Sequence, residues 1–293
     1  MQYRIGVDSG GTHVVANAYS KDLNSLSSVI FGPGNIFTNA EEAVTNISSA
    51  IKNAAIKGQT CEKILIGIAG LESSLSPELY LDKIKTNVKE ICTDIHFISD
   101  AKLALINGLK GKDGFLTIAG TGSIVYGKQN EKYLRAGGWG YLLDDIGSAY
   151  RIAQEATINM LQDYDSGKPC SYQQTIFKYF HVQTVHELIS KYYQIEHTQI
   201  ANFSLELAKI AEKGDRQAVK VFELQGKQLA EEIIRLIQRY PANEIEYRLA
   251  LSGSVLIKNL IVQNKVKEVI LKKFPQMKIT ISTHNNNMAV NYI

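Results

Sequence analysis

The length, composition and charge of the chain indicate a folded protein of two domains. Its 293 residues exceed the roughly 100–200 residues of a single domain. Hydrophobic residues make up 45% of the chain and charged residues 21%, which argues against long disordered segments. The 32 Lys and Arg residues against 29 Asp and Glu residues leave a formal charge of +3, too small to indicate a nucleic-acid partner.

Membrane, export and disulfide signals are absent from the sequence pattern. The longest apolar run, Ile64–Leu71, is far shorter than the roughly 20 residues that a membrane span needs. No apolar segment of a signal peptide precedes Asp8, so we expect a cytoplasmic protein with no membrane partner. Cys61, Cys92 and Cys170 are widely spaced and odd in number, which favours reduced thiols over disulfides or a zinc site.

The first part of the chain alternates between strand and helix patterns. Alternating apolar residues at Tyr3–Val7 and Val14–Tyr19 predict a β-hairpin, closed by a glycine-rich turn at Ser9–Thr12. The other predicted elements are a helix that starts at Asn39 and stops at Gly58, a strand at Lys63–Ala69, a helix with Ser76 as N-cap and Pro77 as first residue, and a strand at Ile95–Ser99. This order is typical of an α/β domain.

A second half with the same beginning follows the turn-rich stretch 110–114. Strands at Phe115–Ala119 and Ser123–Gly127 flank a Gly-Thr-Gly turn, as the first hairpin flanks a Gly-Gly-Thr turn, so we predict a duplicated domain. Residues from about 147 to 240 read as helical, and strands follow at Tyr247–Leu251 and Met277–Ser282. The predicted domains are 1–111 and 112–293, the last residues of which return to the first domain.

Three glycine-rich turns are the candidate sites for chemistry. They follow predicted strands at Asp8–Thr12, Ala119–Ser123 and Leu251–Ser254. Glycine lets backbone N–H groups approach a phosphate, and Ser or Thr adds a hydroxyl donor. No GxxxxGK[ST] P-loop is present, and Val125 replaces the last glycine of a GxGxxG pattern, which excludes a P-loop and disfavours a Rossmann site.

The arrangement of these turns resembles the actin-like superfamily of ATPases, and one segment carries a narrower resemblance. The segment Ala136–Tyr150, AGGWGYLLDDIGSAY, is similar to the signature GGWGxxxGDEGSxxxI. That signature is found in N-acetylglucosamine kinases and the related BadF/BcrA-type ATPases. Together with the three turns, the resemblance extends over essentially the whole chain.

The resemblance implies an α/β fold with two actin-like, ribonuclease H-like domains, a ligand cleft between them and a large helical insert in the second domain. It implies ATP and Mg²⁺ as cofactors, an amino sugar phosphorylated at its 6-hydroxyl as substrate, and a homodimer. Asp100, which follows a strand, would be the catalytic base, and Asp8 would hold Mg²⁺ through water. The resemblance places nucleotide binding at Gly10, Gly11, Thr12, His13, Gly120, Thr121, Gly122 and Gly253, and sugar binding at Asn35, Ser123, Gly138, Trp139, Gly140 and Asp145.

Two features of the chain depart from the family pattern. Asp144-Asp145-Ile146 replaces Gly-Asp-Glu, so an acidic residue that contacts the sugar in the family becomes apolar. The C-terminal tail from His284 to Ile293 is shorter than the terminal helix of the family, which leaves open whether activity is reduced. These departures leave open whether the substrate is N-acetylglucosamine, glucosamine or another hexosamine.

Two other functions remain open from the sequence. One is a BadF/BcrA-type activator ATPase, in which two subunits share an iron–sulfur cluster, although the three cysteines lack the surrounding motif. The other is a sensor that binds sugar or nucleotide without catalysis. A colourless protein would exclude the first, and ATP turnover with any hexosamine would exclude the second.

Overall fold

The structure, a computed structural model, describes residues 2–130, 132–283 and 285–293, so His284 lies outside it. The chain divides into two compact units. Unit 1 consists of Met1–Lys112 and Ser282–Ile293, and unit 2 is Asp113–Ile281. None of the described helices combines the length and apolar character that crossing a bilayer requires.

Unit 1 contains a five-stranded mixed sheet with the order β3-β2-β1-β4-β5. Strands β1 to β3 pair antiparallel, whereas β4 and β5 run parallel to β1 because helices connect them. The elements are β1 Gln2–Ser9, β2 Val14–Ser20, β3 Ser25–Phe31, α1 Ala40–Ala54, β4 Thr60–Ile68, α2 Glu78–Val88, β5 Ile95–Ser99 and α3 Asp100–Leu109. Helices α1 and α2 pack on the sheet through buried residues such as Ile47, Ile51 and Ile84, which form one apolar core with Ile5 and Ile66.

The C-terminal tail belongs to unit 1, where it forms the 3₁₀ segment Asn286–Tyr292. Its Ala289 and Val290 are buried in a second apolar cluster with Leu65 and Leu103. The segment lies directly on β1, since a Cβ on Gly6 would come within van der Waals overlap of the Asn287 carbonyl. Glycine at position 6 is therefore what permits this close approach.

Unit 2 repeats the strand arrangement of unit 1. Its sheet has the order β10-β9-β6-β7-β8, with β6 to β8 antiparallel and β9 and β10 parallel to β6. This confirms the duplication predicted from the two glycine-tipped hairpins. The elements are β6 Gly114–Ala119, β7 Ser123–Gln129, β8 Lys132–Gly137, α4 Ala149–Asp165, α5 Gln173–Phe180, α6 Val185–Tyr192, α7 His197–Glu212, α8 Arg216–Ile237, β9 Arg248–Ser252, α9 Ser254–Lys258, α10 Leu260–Lys273 and β10 Lys278–Ile281.

The helices between β8 and β9 make the core of unit 2 larger than either apolar cluster described in unit 1. Helices α4, α7 and α8 each present a buried face, including Ile152, Leu207 and Leu229, toward the sheet and one another. The long apolar periodicity of α8 produces a helix with one buried side along its full length. The predicted α/β class and the large helical insert of the second half are both confirmed.

Several predicted boundaries differ from the structure. Helix α1 ends at Ala54 because Ala55 is extended, and Gly58 lies in the turn beyond it. Helix α2 begins at Glu78 with Pro77 in the cap position, so the predicted Ser76 cap is wrong by one residue. Strand β8 was not predicted, because its half-exposed sequence KYLRAG lacks clear alternation.

Candidate functional site

Two aspartates lie at one edge of the unit 1 sheet. Asp8 is near the end of β1, and Asp100 follows β5, with β4 between these two parallel strands. Because the carboxyl ends of parallel strands meet at the same edge, the two side chains face the same region, and the charge of Asp100 acts on Asp8. The structure thus brings together Asp8, the residue predicted to hold Mg²⁺, and Asp100, the predicted catalytic base.

Burial controls the protonation of both carboxyl groups. It raises the pKa of Asp8 to about 6, although the Asn286 amide donates a 3.1 Å hydrogen bond to Asp8 Oδ2 that favours the charged form. Burial also raises the pKa of Asp100, against the 2.9 Å bond that its Oδ1 accepts from the Ala101 N–H and together with the nearby charge of Glu72. A cation bound beside the two carboxyl groups would stabilise their ionised forms and so lower both pKa values.

The first glycine turn is exposed at the tip of the β1–β2 hairpin. Gly10 N–H donates to the His13 carbonyl at 2.9 Å, which closes the turn, and the side chains of Thr12 and His13 contact each other at 3.0 Å. Gly11, Thr12 and His13 are all exposed. These residues remain accessible to a ligand, as the sequence prediction requires.

Asn35 lies beside this turn on the segment after β3, where Gly34 N–H donates to the Gly10 carbonyl. Its Oδ1 accepts from the N–H groups of Phe37 and Thr38 at 2.9 and 3.3 Å, so the side chain stabilises its own turn. No described residue accepts a hydrogen bond from its Nδ2. That amide nitrogen remains available to a ligand oxygen.

The other two glycine turns meet in unit 2. Gly120–Ser123 connects β6 to β7, and the carbonyls of Gly120 and Thr121 accept from the first N–H groups of α4 at 2.8 and 3.3 Å. Gly253, after the neighbouring β9, has φ +87° and lies so close to β6 that a Cβ would approach the Ala119 carbonyl oxygen to 2.3 Å. Only glycine fits this position, so the two turns form one continuous backbone surface.

A cavity of about 480 Å³ opens beside these turns, within the size range of small-molecule sites. Thr121, Ser254 and Asn259 line it from the turns and from α9 and α10. Helix α7 provides another wall with Asn202, Leu205, Lys209 and Glu212. Sequence reasoning missed this wall, because only the packing of α7 on α4 brings it to the turns.

The loop between β8 and α4, residues 138–148, folds back onto the second glycine turn. Asp145 has φ +63°, is 8% exposed, and accepts a 3.4 Å hydrogen bond from the Ser123 N–H. The Ser123 hydroxyl donates to the Ile146 carbonyl at 2.7 Å. Burial raises the pKa of Asp145, as does the charge of Asp144, whereas His197 opposes the shift. We refer to residues 138–148 as the β8–α4 loop.

Trp139 lies on the surface of this loop. Its side chain is 63% exposed, and the Arg135 guanidinium stacks on its ring at 3.9 Å from the centroid. The backbone N–H of Trp139 donates to Asp144 Oδ2 at 3.4 Å. The neighbouring Gly138 has φ +70° and leaves no room for a Cβ beside Ile124. The exposed ring is accessible as the predicted wall of a sugar site.

Sequence reasoning missed the polar residues of α8 that support this loop. Gln225 Oε1 accepts the Gly147 N–H at 3.0 Å, and Glu232 is buried against Gly137. Their spacing of seven residues on a helix was the available signal, since polar residues on a buried helix face need partners. Asn286, which contacts Asp8 from 278 residues away, had no such signal.

Among the described residues, no group of three His, Cys, Asp or Glu side chains is arranged to hold a metal ion. Mg²⁺ does not require such a cluster, because it usually keeps several waters and uses one or two carboxylates together with substrate phosphates. The donor set of a single Asp8 carboxylate fits that mode of binding.

Known proteins are similar to this chain over its full length. It is 25% identical over 296 residues to the N-acetylmuramic acid/N-acetylglucosamine kinase of Clostridium acetobutylicum, with 98% of the chain and 96% of the relative covered. It is 24% identical over 312 residues to the N-acetyl-D-glucosamine kinase of Dictyostelium discoideum, with 97% and 95% covered.

A solved structure shares the fold. The crystal structure of a candidate N-acetylglucosamine kinase from Chromobacterium violaceum matches with a TM-score of 0.71 at 17% identity, over 99% of this chain and 98% of that one. The model of one protein family matches residues 5–289. With this match, the resemblance carried by the Trp139 segment is confirmed, and the chain belongs to the BadF/BadG/BcrA/BcrD ATPase family.

Proposed function

We propose that this protein is an ATP-dependent kinase that phosphorylates the 6-hydroxyl of N-acetylglucosamine or glucosamine. The observation that carries the proposal is the cavity of unit 2, which opens beside two glycine turns, one of which, at Gly253, leaves no room for a side chain. The names of the two full-length relatives supply the substrate class. The proposal includes both hexosamines as substrates because the segment Asp144-Asp145-Ile146 departs from the family signature beside the assigned sugar site.

The residues of unit 2 fit a nucleoside triphosphate. Leu205 and Val255 supply apolar contacts in the cavity, and Asn202 and Asn259 supply polar groups for a nucleoside. We assign the phosphates to the turn Gly120–Ser123 and to Gly253, where backbone N–H groups and the Thr121 hydroxyl act as donors. Bound ATP would supply the phosphoryl group, and a bound Mg²⁺ would neutralise the charge that develops on it.

The residues of unit 1 fit the remaining roles. We assign Asp8 to Mg²⁺ through water, and Gly10, Gly11, Thr12 and His13 to phosphate contacts. Asp100 is the base: its Oδ2 remains available to accept the proton of the 6-hydroxyl, since Ala101 N–H occupies Oδ1. Asn35 binds a sugar oxygen through Nδ2.

We assign the other sugar contacts to the β8–α4 loop and the turn beside it. Asp145 accepts from ring hydroxyls, Gly138 and Gly140 allow close backbone approach, and Trp139 provides an apolar wall. The Ser123 hydroxyl proton is committed to Ile146, so this side chain acts as an acceptor. In this proposal the region 1–111 carries the base and first phosphate motif, and the region 112–293 carries the second phosphate motif and the adenosine site.

Two of the three cysteines disfavour the activator ATPase that the sequence left open, and the third, Cys170, is half-buried. Cys61 and Cys92 are buried in the core of unit 1, and burial raises the pKa of the Cys61 thiol to about 12. A buried protonated thiol does not present a cluster ligand at a subunit interface. We propose instead a cytoplasmic homodimer with reduced thiols.

ADP release measured with a panel of sugars tests the function. The panel contains N-acetylglucosamine, glucosamine, N-acetylmannosamine, N-acetylmuramic acid and glucose, each with ATP and Mg²⁺. Phosphorus–proton NMR of the product locates the phosphate at the 6-hydroxyl. ATP binding without phosphorylation of any hexosamine would instead support a sensor.

A further inference from the structure

Both ends of the β8–α4 loop rest on one face of helix α8. Gln225, Leu229 and Glu232 follow one another at i, i+4 and i+7, so they lie on the same side of the helix. Gly147, near the end of the loop, donates its N–H to Gln225 and would collide with Leu229 if it carried a Cβ. Gly137, the last residue of β8 and the one immediately before the loop, lies against Glu232.

The Glu232 carboxyl group lies directly beside Gly137. A Cβ at residue 137 would be 2.6 Å from Oε1 and 3.0 Å from Oε2 of this side chain, and Gly137 itself has φ +70°. Any other residue at 137 would displace the carboxyl group. The contact therefore links the conformation of the loop to the position and charge of Glu232.

This carboxyl group is buried without full compensation. Glu232 is 4% exposed, and its Oε2 forms no hydrogen bond with any described residue. An ionised oxygen in that position lacks the donors that it would have in water, whereas a protonated one carries no charge. The geometry favours the neutral acid.

The charged groups around Glu232 act in the same direction. Asp144 and Asp145 approach it from the β8–α4 loop, and only Arg235, on its own helix, opposes them. Arg135 of β8, packed near the same helix, stacks its guanidinium on Trp139 instead. Burial, followed by the charge of Asp144, raises the pKa of Glu232 to about 7.

We propose that Glu232 is a positioning residue of the sugar site: as a neutral acid it supports the β8–α4 loop, and once ionised it repels Asp144 and Asp145 and displaces the loop. The effect on sugar rests on the proposed function, because that function assigns Trp139 and Asp145 to the substrate. The effect of Glu232 ionisation on the conformation of the loop does not depend on the proposed function. Glu232 contacts no substrate in this account and acts only through the loop.

Trp139 reports the loop without any ligand, because it is the single Trp of the chain. In the protein as isolated, we expect its emission to change between pH 6 and 8 with a midpoint near 7. Glu232→Gln keeps the shape of the side chain and cannot ionise, so its emission should stay constant over that range. Glu231→Gln removes a charge from the adjacent, exposed side chain and should titrate like the wild type.

His197 is a further titratable group beside the loop, where it stacks on Tyr141 and acts on Asp145. The transition near pH 7 should persist in His197→Asn. Its loss there, or its survival in Glu232→Gln, would overturn the proposal. If Glu232→Gln does not fold, a wild-type emission that is flat between pH 6 and 8 is by itself sufficient to reject it.

Calorimetry with N-acetylglucosamine extends the test to binding. The dissociation constant of the wild type should increase from pH 6 to pH 8, by up to about tenfold for each unit by which the sugar shifts the Glu232 pKa. Glu232→Gln should bind equally well at both values. Emission that titrates in a protein that phosphorylates no sugar would contradict the proposed function alone. Phosphorylation with pH-independent emission would contradict the Glu232 proposal alone.

Discussion

At the scale of single residues, position at a strand end decides what a carboxyl group can do. Asp94 and Asp100 flank the same strand, β5, yet their environments differ. Asp94 is exposed and pairs with His96 at 2.7 Å, whereas Asp100 is half-buried and its charge acts on Asp8. The comparison supplies a matched control for the proposed base.

Asp100→Asn tests this assignment. Asparagine keeps the shape and the hydrogen bond to the sugar hydroxyl but cannot take its proton, so kcat should fall by about 10²–10⁴. The KM for ATP should stay within a few-fold. Steady-state kinetics measure both, with Asp94→Asn expected to match the wild type. A loss confined to the sugar KM would make Asp100 a binding residue.

Asp145 and Asp144 are adjacent but should differ in their effect on sugar binding. Asp145 is buried and in a left-handed conformation that asparagine tolerates, so Asp145→Asn removes charge without straining the backbone. Loss of a charged hydrogen bond costs about 1.5–3 kcal/mol, or roughly a tenfold to hundredfold higher sugar KM.

Asp144→Asn is the control, since Asp144 is half-exposed and accepts one 3.4 Å hydrogen bond, from the backbone N–H of Trp139. Its sugar KM should change little. The reverse order of effects would mean that the signature is aligned one residue out of register.

At the scale of elements, the site depends on close contacts between the ends of neighbouring strands. The turn after β9 reaches the Ala119 carbonyl at the end of β6, and the β8–α4 loop reaches Ser123 at the start of β7. A residue with positive φ makes each contact, Gly253 at φ +87° in the first and Asp145 at φ +63° in the second. Substitutions there should affect stability and ligand binding together.

Gly253→Ala tests the contact between β9 and β6. The new Cβ would lie 2.3 Å from the Ala119 oxygen at φ +87°, so we expect a loss of about 2–4 kcal/mol in the free energy of unfolding and weaker ATP binding. Gly214 has φ +90°, and a Cβ added there would have no atom within 4 Å, so Gly214→Ala measures the conformational strain alone. Denaturant titration should show the larger loss for Gly253→Ala, and equal losses would mean that the collision relaxes.

The tail is a structural element of unit 1 despite its short length. Asn287 is fully buried, accepts from the Tyr19 hydroxyl at 2.6 Å and donates to Asn17 Oδ1 at 2.7 Å. Asn287→Ala leaves these groups unpaired, which should cost about 2–3 kcal/mol of stability. The exposed Asn285→Ala should cost almost nothing when both are measured by chemical denaturation. Similar stabilities of the two variants would show that the tail detaches readily.

At the scale of the whole molecule, buried acids with raised pKa values make stability depend on pH. Glu232, with a pKa of about 7 against an unfolded value of 4.5, binds its proton more tightly in the folded state. Its favourable contribution is therefore complete below about pH 4.5 and is lost as pH rises to 7. This loss amounts to about 3 kcal/mol at most, at 1.36 kcal/mol per pKa unit.

Glu232→Gln should remove this loss. Relative to the wild type, the variant should gain stability between pH 5 and pH 8, by up to about 3 kcal/mol in the free energy of unfolding. For Glu231→Gln, on the exposed face of the helix, the free energy of unfolding should change with pH as it does in the wild type. A gain that does not depend on pH would point to better packing rather than to ionisation.

The sequence by itself determined the features that depend on near neighbours along the chain. Strand alternation and glycine turns are local, so the two hairpins and their duplication could be predicted from residues such as Gly10–Thr12 and Gly120–Gly122. The Trp139 segment identified the family because a signature is also local. Strand β8 escaped prediction because its half-exposed residues do not alternate clearly.

Only the tertiary structure decided which distant elements support the site. Apolar periodicity shows that a helix has a buried face but does not say what covers it. Gln225 reaches Gly147 across 78 residues, Asn286 reaches Asp8 across 278, and α7 closes a cavity that begins at Thr121. The charge state of Glu232 follows from such packing, because burial and the approach of Asp144 raise its pKa.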